Sequence, residues 1–258
     1  MSNSSNNLSN LIKNTKNSAS KLNISTIIMY TLVGLITLYI LYRIYNDYSF
    51  HNSNKIMLVD GVINNNQQLQ IKPDKIKRSI DGQYGIEFSY SFWIYVDSWT
   101  LNAPMIIFNK GSSQMQTQAP SVIMVKADNK LRLNLDTFST EKETCDISNI
   151  PVKKWVHIIY VLTGKYLDVF VNGNLRKRCK LDALPRQNID WMNVNMKHGN
   201  PNGAYRLSNL CYRSYSMKLW EIEREFVRGP NLKSALVGGM SDDIKYLADD
   251  YWLSTQYN

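Results

Sequence analysis

Lys154-Trp155-Val156-His157-Ile158-Ile159-Tyr160-Val161-Leu162, then Thr163-Gly164, then Tyr166-Leu167-Asp168-Val169-Phe170-Val171, then Asn172-Gly173, presents two β-rich segments broken by turn residues. Asn-Gly between such segments is a strong hairpin signal, because both residues tolerate the positive φ of a type I′ turn. A third segment, Leu175 to Lys180, completes an antiparallel meander. Upstream, Ile86, Phe88, Tyr90, Phe92, Ile94 and Val96 alternate with Glu87, Ser89, Ser91, Trp93 and Tyr95, the two-residue period of a strand with a distinct inner face. Shorter strands are expected at Met105 to Phe108, Val122 to Lys126 and Leu131 to Leu135, with Asp128-Asn129 as a turn between the last two. One convincing helix follows, Lys218 to Phe226. Many short strands with turn punctuation predict an all-β sandwich or barrel.

The N-terminal part is of another kind. Leu22 to Tyr42 is an uncharged run between Lys21 and Arg43, and about 20 apolar residues in a helix cross the bilayer hydrocarbon. Ile27, Leu32 and Leu35 form the body of this expected anchor, and Tyr39, Tyr42 and Arg43 its headgroup end. A signal peptide is the alternative, but no small-residue cleavage site follows the run. Lys13, Lys16 and Lys21 precede it without an acid, so the leader is expected in the cytosol of a single-pass protein. Of the three Asn-x-Ser sequons, Asn3 and Asn7 also precede it and Asn23 is its second residue. The predicted organisation is a disordered Asn/Ser-rich leader (1–21), a transmembrane helix (22–43), a stalk (44–56), a β domain (57–231) and a partly helical tail (232–258). In the tail, Ile244, Leu247 and Tyr251 fall at helical spacing.

Tyr90-Ser-Phe-Trp-Ile-Tyr-Val, Met105-Ile-Ile-Phe-Asn-Lys-Gly, Trp155-Val-His-Ile and Leu167-Asp-Val-Phe-Val-Asn-Gly, in that order, resemble the laminin G-like, concanavalin A-like domains. Ser208 to Ile222 and the Gly229-Pro230-Asn231 exit resemble their closing strand and short helix. The resemblance covers Met57 to Asn231 and implies an antiparallel jelly-roll β-sandwich. The Cys145/Cys179 pair and the Gly-Pro-Asn exit are similar to the membrane-anchored members of large cytoplasmic DNA viruses. That branch implies a virion structural role, such as a minor capsid protein meeting capsid or other virion proteins beside a membrane. The alternative is glycan or host-receptor binding. Some members bind calcium through loop carboxylates, but Asp128, Asp168 and Asp182 cannot be matched to those positions; no other cofactor is expected.

Motifs for chemistry are missing. The glucanase members of this superfamily use a Glu-x-Asp-x-x-Glu strand, which the chain lacks. It also lacks Gly-x-Ser-x-Gly, His-Glu-x-x-His and a phosphate loop. Glu221, Glu223 and Glu225 sit on the predicted helix, where three acids read as a solvated face. His157 reads as a packed, hydrogen-bonded strand residue. Cys145, Cys179 and Cys211 lack zinc spacing. The first two lie on neighbouring strands and form either a disulfide or two buried thiols, and Cys211 is a small packed side chain.

Charge is the remaining lead, with 30 Lys and Arg against 21 Asp and Glu, a net of +9. Lys72, Lys75, Lys77 and Arg78 form one run. In the other, strand alternation places Arg176, Arg178 and Lys180 on one face. Such a stripe suits anionic glycans, lipid headgroups or an acidic protein, or else is a solvated edge strand guarded against aggregation. Nucleic acid is a poor fit, since no stacking aromatics accompany the runs.

Overall fold

In the computed structural model, which describes residues 23–112, 114, 116–126, 129–139, 142–196 and 204–235, the chain forms two compact units that meet in sequence at Ser53/Asn54. The leader and the helical tail pattern lie outside the described residues, as do Asp128 and His198.

The first unit is helix α1, Ile24–Ser53, with no buried residue and a mean hydropathy of 2.1 over its most apolar window. By length and composition it can cross a membrane or act as a signal sequence. Two hydroxyls of its apolar run bond within the helix: Thr31 donates to the Ile28 carbonyl and Thr37 to that of Val33, both at 2.8 Å. The helix runs ten residues beyond Arg43, through most of the expected stalk. Residues 44–53 contain neither Gly nor Pro to stop it, and the His51 ring bonds the Asp47 carbonyl one turn back at 2.6 Å. The stalk's last two positions, Lys55 and Ile56, already belong to a strand.

The second unit is a sandwich of two antiparallel sheets. In chain order the strands are β1 (Lys55–Asn64), β2 (Leu69–Ile71), β3 (Ile80–Gly82), β4 (Gly85–Ser98), β5 (Met105–Lys110), β6 (Ser121–Met124), β7 (Leu131–Leu135), β8 (Glu143–Ile147), β9 (Trp155–Thr163), β10 (Tyr166–Val171), β11 (Asn174–Lys180), β12 (Met192–Val194) and β13 (Ala204–Arg213). One sheet has the order β1-β13-β4-β9-β10-β11, with β3 beside β4, and the other β2-β12-β5-β6-β7-β8. The alternation read in β4 holds, and β9 lies where a strand was read: Phe88, Tyr90, Phe92, Ile94 and Val96 meet Val156, Ile158, Tyr160 and Leu162 in one core. Across the layers Tyr90 stacks on Phe108 at 5.5 Å and Phe92 meets it edge-on at 5.6 Å. At the Asn172-Gly173 turn φ is 50° and 80°, as the hairpin requires.

Both edges of the sandwich are secured. At one, the short β1–β2 connection joins the sheets, and Val62 exchanges backbone bonds with Lys233 (2.7 Å) and Ala235 (2.9 Å). At the other, Cys145 on β8 and Cys179 on β11 form a disulfide with Cα atoms 6.0 Å apart. Cys211 is a buried free thiol whose pKa is pushed up by burial.

The outer face of the larger sheet is covered by helix α2, Leu219–Arg228. The helix sits where the sequence predicts, but its acids do not form a solvated face. Glu221 is buried and accepts from the Tyr215 hydroxyl (2.7 Å) and the Lys218 amide (2.9 Å). Glu225 pairs with Arg213 at 2.8 Å, Lys55 at 3.0 Å and Arg228 at 3.3 Å. Arg228 is one turn along the same helix, but Arg213 and Lys55 come from β13 and β1, so helical spacing alone does not reveal them. Burial raises the Glu225 pKa, but these cations outweigh it and hold the carboxyl below its ordinary value. Beneath the helix, His157 stacks on Trp93 at 4.6 Å and lies 6.2 Å from Phe226. It is packed as expected, yet its Nδ1 has no hydrogen-bond partner.

Two outcomes follow for stability. Replacing Cys145 and Cys179 together by Ser opens a 34-residue span, and denaturant unfolding of the full chain should show a loss of roughly 3 to 4 kcal/mol. Burial, partly offset by Glu225 and reinforced by Arg213, lowers the His157 pKa to about 4 from 6.5. The unfolded chain therefore takes up this proton first, and stability present above pH 6.5 is lost as pH falls toward 4, by on the order of 3 kcal/mol in all. Thermal melts between pH 7 and 5 should fall less steeply in His157→Phe, which keeps a ring in the stack. Equal slopes would remove His157 as the cause.

Candidate functional site

The β9–β10–β11 meander builds the most developed surface site among the described residues. Gly164, at φ 58°, turns β9 into β10, and a Cβ there would collide with the Tyr84 carbonyl. The turn is thereby packed against the β3–β4 connection. From it, Tyr166 and Asp168 project outward on β10, while Leu167 and Val169 enter the core. Register places Lys180 opposite Tyr166 and Arg178 opposite Asp168. Tyr84, Thr163, Lys165, Tyr166, Asp168, Arg178, Lys180 and Leu184 line the resulting open groove of about 550 Å³.

Its charges are unevenly engaged. Arg178 grips Asp168 through Nε (2.5 Å) and Nη2 (2.6 Å) and lies 5.8 Å from the centre of the Tyr166 ring. Lys165 donates to the Asp182 carbonyl at 2.9 Å. Three cations thus face one carboxylate, and exposed rings of Tyr84 and Tyr166 stand beside them.

The stripe read from sequence is only partly assembled. Arg178 and Lys180 share the groove, but Arg176 does not line it. Val169 pairs with Lys177 and Phe170 with Leu175, so Arg176 is the extra residue of a bulge. The outward position opposite Phe170 therefore falls to Leu175. Lys177, on the other face, donates to the Asp146 carbonyl at 3.0 Å. Of the other basic run, Arg78 bonds Gln187 at 2.9 Å, and none of the four lines the groove. The expected anchor residues Ile27, Leu32, Leu35, Tyr39, Tyr42 and Arg43 are all exposed along α1.

Sequence reasoning missed Tyr84, Lys165, Tyr166 and Asp168 as site residues. The alternation that sends Leu167 and Val169 inward sends Tyr166 and Asp168 outward, so half of the groove was readable from β10. Tyr84 was not, because it comes from a distant turn. For calcium, no group of three or more His, Cys, Asp or Glu able to hold a metal occurs among the described residues, and Asp168 is engaged by Arg178. A second cavity, beside buried Lys110, measures only about 10 Å³, room for one water. Burial lowers that lysine's pKa to about 8 against the opposing effect of Asp190.

The family model described as the concanavalin A-like lectin/glucanases superfamily matches residues 64–200, a span that contains every groove residue. Among solved structures, the chain resembles the botulinum neurotoxin serotype D ligand-binding domain in complex with N-acetylneuraminic acid. The TM-score is 0.53 and the identity 11%, over 67% of this chain and 45% of that one. It is also similar to the receptor-binding domain of the mosaic C/D neurotoxin with tetraethylene glycol and sulfate bound (TM-score 0.52, 11% identity, 67% and 45% covered). A third is the serotype D binding domain (TM-score 0.51, 12% identity, 62% and 40% covered). The chain spans less than half the length of each, and the likeness is one of fold. No curated protein matches it.

Proposed function

The chain belongs to the concanavalin A-like lectin/glucanases superfamily, and from that premise we propose that it is a membrane-anchored, non-catalytic binding module that takes an acidic glycan in the groove on β10 and β11. The observation that carries this reading is the pairing of exposed tyrosine rings with a surplus of cations in one concavity. Ring faces suit the apolar faces of a pyranose, and Lys180 with the free N–H groups of Arg178 suits a carboxylate or sulfate. The acidic sugar bound to the serotype D neurotoxin domain supports that ligand class. The missing Glu-x-Asp-x-x-Glu run supports binding without hydrolysis.

In this reading α1 crosses the membrane with the leader in the cytosol. The Cys145–Cys179 disulfide supports a sandwich on the oxidising side. A second reading, the virion structural role implied by the viral resemblance, is favoured by Ile189 and Trp191, which are exposed in the segment before β12. There the membrane is a virion's and those side chains meet capsid or other virion proteins; crosslinks from Lys153 and Lys233 to such proteins in purified particles are its test.

On arrays of sialylated, sulfated and neutral glycans, the full chain in nanodiscs should bind the acidic ones, and Lys180→Glu or Tyr166→Ala should weaken binding about tenfold or more. Undiminished binding by both variants would remove the groove. Protease added to sealed microsomes should leave the sandwich intact and trim the leader, with Asn3, Asn7 and Asn23 unglycosylated; the reverse pattern overturns the orientation.

A further inference from the structure

Asp168 is an acid set in a groove whose other charges are cations. On β10 it lies between Leu167 and Val169, both packed in the core, so the sandwich fixes its backbone. Its side chain is 17% exposed, against 60% for that of Arg178. A molecule entering the groove therefore meets the guanidinium before it meets the carboxylate.

The two side chains are joined along one edge of that guanidinium. Nε of Arg178 donates to Oδ1 of Asp168 at 2.5 Å and Nη2 to Oδ2 at 2.6 Å. An arginine has five N–H donors in a rigid fork, and this clamp takes two. Both donors on Nη1 and the second on Nη2 make no hydrogen bond among the described residues. One from each of these nitrogens runs parallel to the other at the end of the group. The guanidinium thus keeps a second two-donor edge, of the kind that takes two oxygens of a carboxylate or sulfate. A free arginine side chain loses many rotamers when a ligand orders it, which counts against binding. Here Asp168 orders it in advance, and the Tyr166 ring, its centre 5.8 Å from Cζ, flanks the same group. Lys180, two residues along β11, adds charge to the groove without a fork of its own.

We infer that Asp168 is the positioning residue of the groove: it holds Arg178 so that the Nη1/Nη2 edge receives the oxyanion of an acidic glycan, and one guanidinium bridges two acids. This deepens the acidic-glycan reading and rests on it. It also opposes simple electrostatics. By net charge alone, removing the carboxylate of Asp168 tightens the hold on an acid. By positioning, removing it weakens that hold, because Arg178 loses its aim.

The test measures binding of two acid and neutral pairs to the detergent-solubilised full chain: sialyllactose with its methyl ester, and sulfated lactose with lactose. The unaltered chain should prefer at least one acid to its neutral counterpart by about tenfold or more. Asp168→Asn, nearly the same shape, should lose most of that preference and bind the neutral sugars as before. Arg178→Lys, which keeps the charge without the fork, should do the same. Thermal melts of both variants should stay close to that of the unaltered chain, because the pair lies at the surface. Equal or tighter binding of the acid by Asp168→Asn, or an intact preference in Arg178→Lys, would show that net charge suffices and overturn the inference. A parallel fall for acid and neutral sugars in Asp168→Asn would make Asp168 a packing residue and overturn it equally. In all of these outcomes the acidic-glycan reading stands. An unaltered chain that prefers neither acid removes that reading, and the positioning role with it.

Discussion

The register of the β9–β10–β11 meander is the constraint on which the rest of the sandwich depends. Side chains on a strand alternate with a period of two, so a slip of one residue would exchange every inward and outward position. In the register adopted, His157 lies under α2, Tyr166 and Asp168 face solvent, and Cys179 points toward Cys145 in the opposite sheet. The disulfide therefore does more than close an edge. It is compatible only with the pairing that puts Arg178 opposite Asp168 and Lys180 opposite Tyr166, so the covalent link and the chemistry of the groove are set by one pairing. Gly164 at the first turn and Gly173 at the second hold that pairing from both ends, and Gly173 also lets Phe226 of α2 approach, since a Cβ there would sit 3.3 Å from its ring.

Above the sheet the constraint is of another type. Arg213 is 2% exposed and its charge is met by Glu225, while its Nη1 donates to the Ser91 hydroxyl at 3.0 Å. A buried ion pair adds little net stability over a well-packed apolar pair, but losing one partner strands the other in a low dielectric. Its effect is directional: α2 can seat only where Glu225 reaches Arg213 and Lys55 together. Ser89 adds to this by donating to the Tyr215 carbonyl and accepting the Met217 amide, which fixes the approach to the helix. His157, neutral at physiological pH, is then a stacking surface between Trp93 and Phe226 and not a base.

What was legible in the sequence follows from which interactions are local. Period-two alternation in β4, the β-rich run of β9, the Asn172-Gly173 turn and the apolar run of α1 are encoded within a few residues, and each is where the sequence puts it. The site was half legible: Arg178 and Lys180 could be paired by alternation, but the bulge that removes Arg176 depends on how β11 meets β10, which composition does not report. Glu221 and Glu225 looked solvated because Tyr215, Arg213 and Lys55 reach them through the fold. The end of α1 was misplaced for a converse reason. Arg43 marks where apolar character ends, whereas helical backbone continues until something breaks it, and nothing does before Ser53.

The net charge of +9 is itself reinterpreted by these placements. Arg132 is held by Asp146 at 2.7 Å, Arg178 by Asp168 and Arg213 by Glu225, so part of the positive charge is already paired within the domain. Arg176 and Lys177 remain on β11, an edge strand, where cations and a bulge discourage pairing with another chain's strand. Another strand is thus discouraged from adding along the edge, and the outer face, where Lys180, Lys165 and the two tyrosines stand, is left open. In the glycan-binding reading proposed above, β11 would serve both ends, Arg176 and Lys177 guarding the edge and Lys180 drawing an acidic partner to the face.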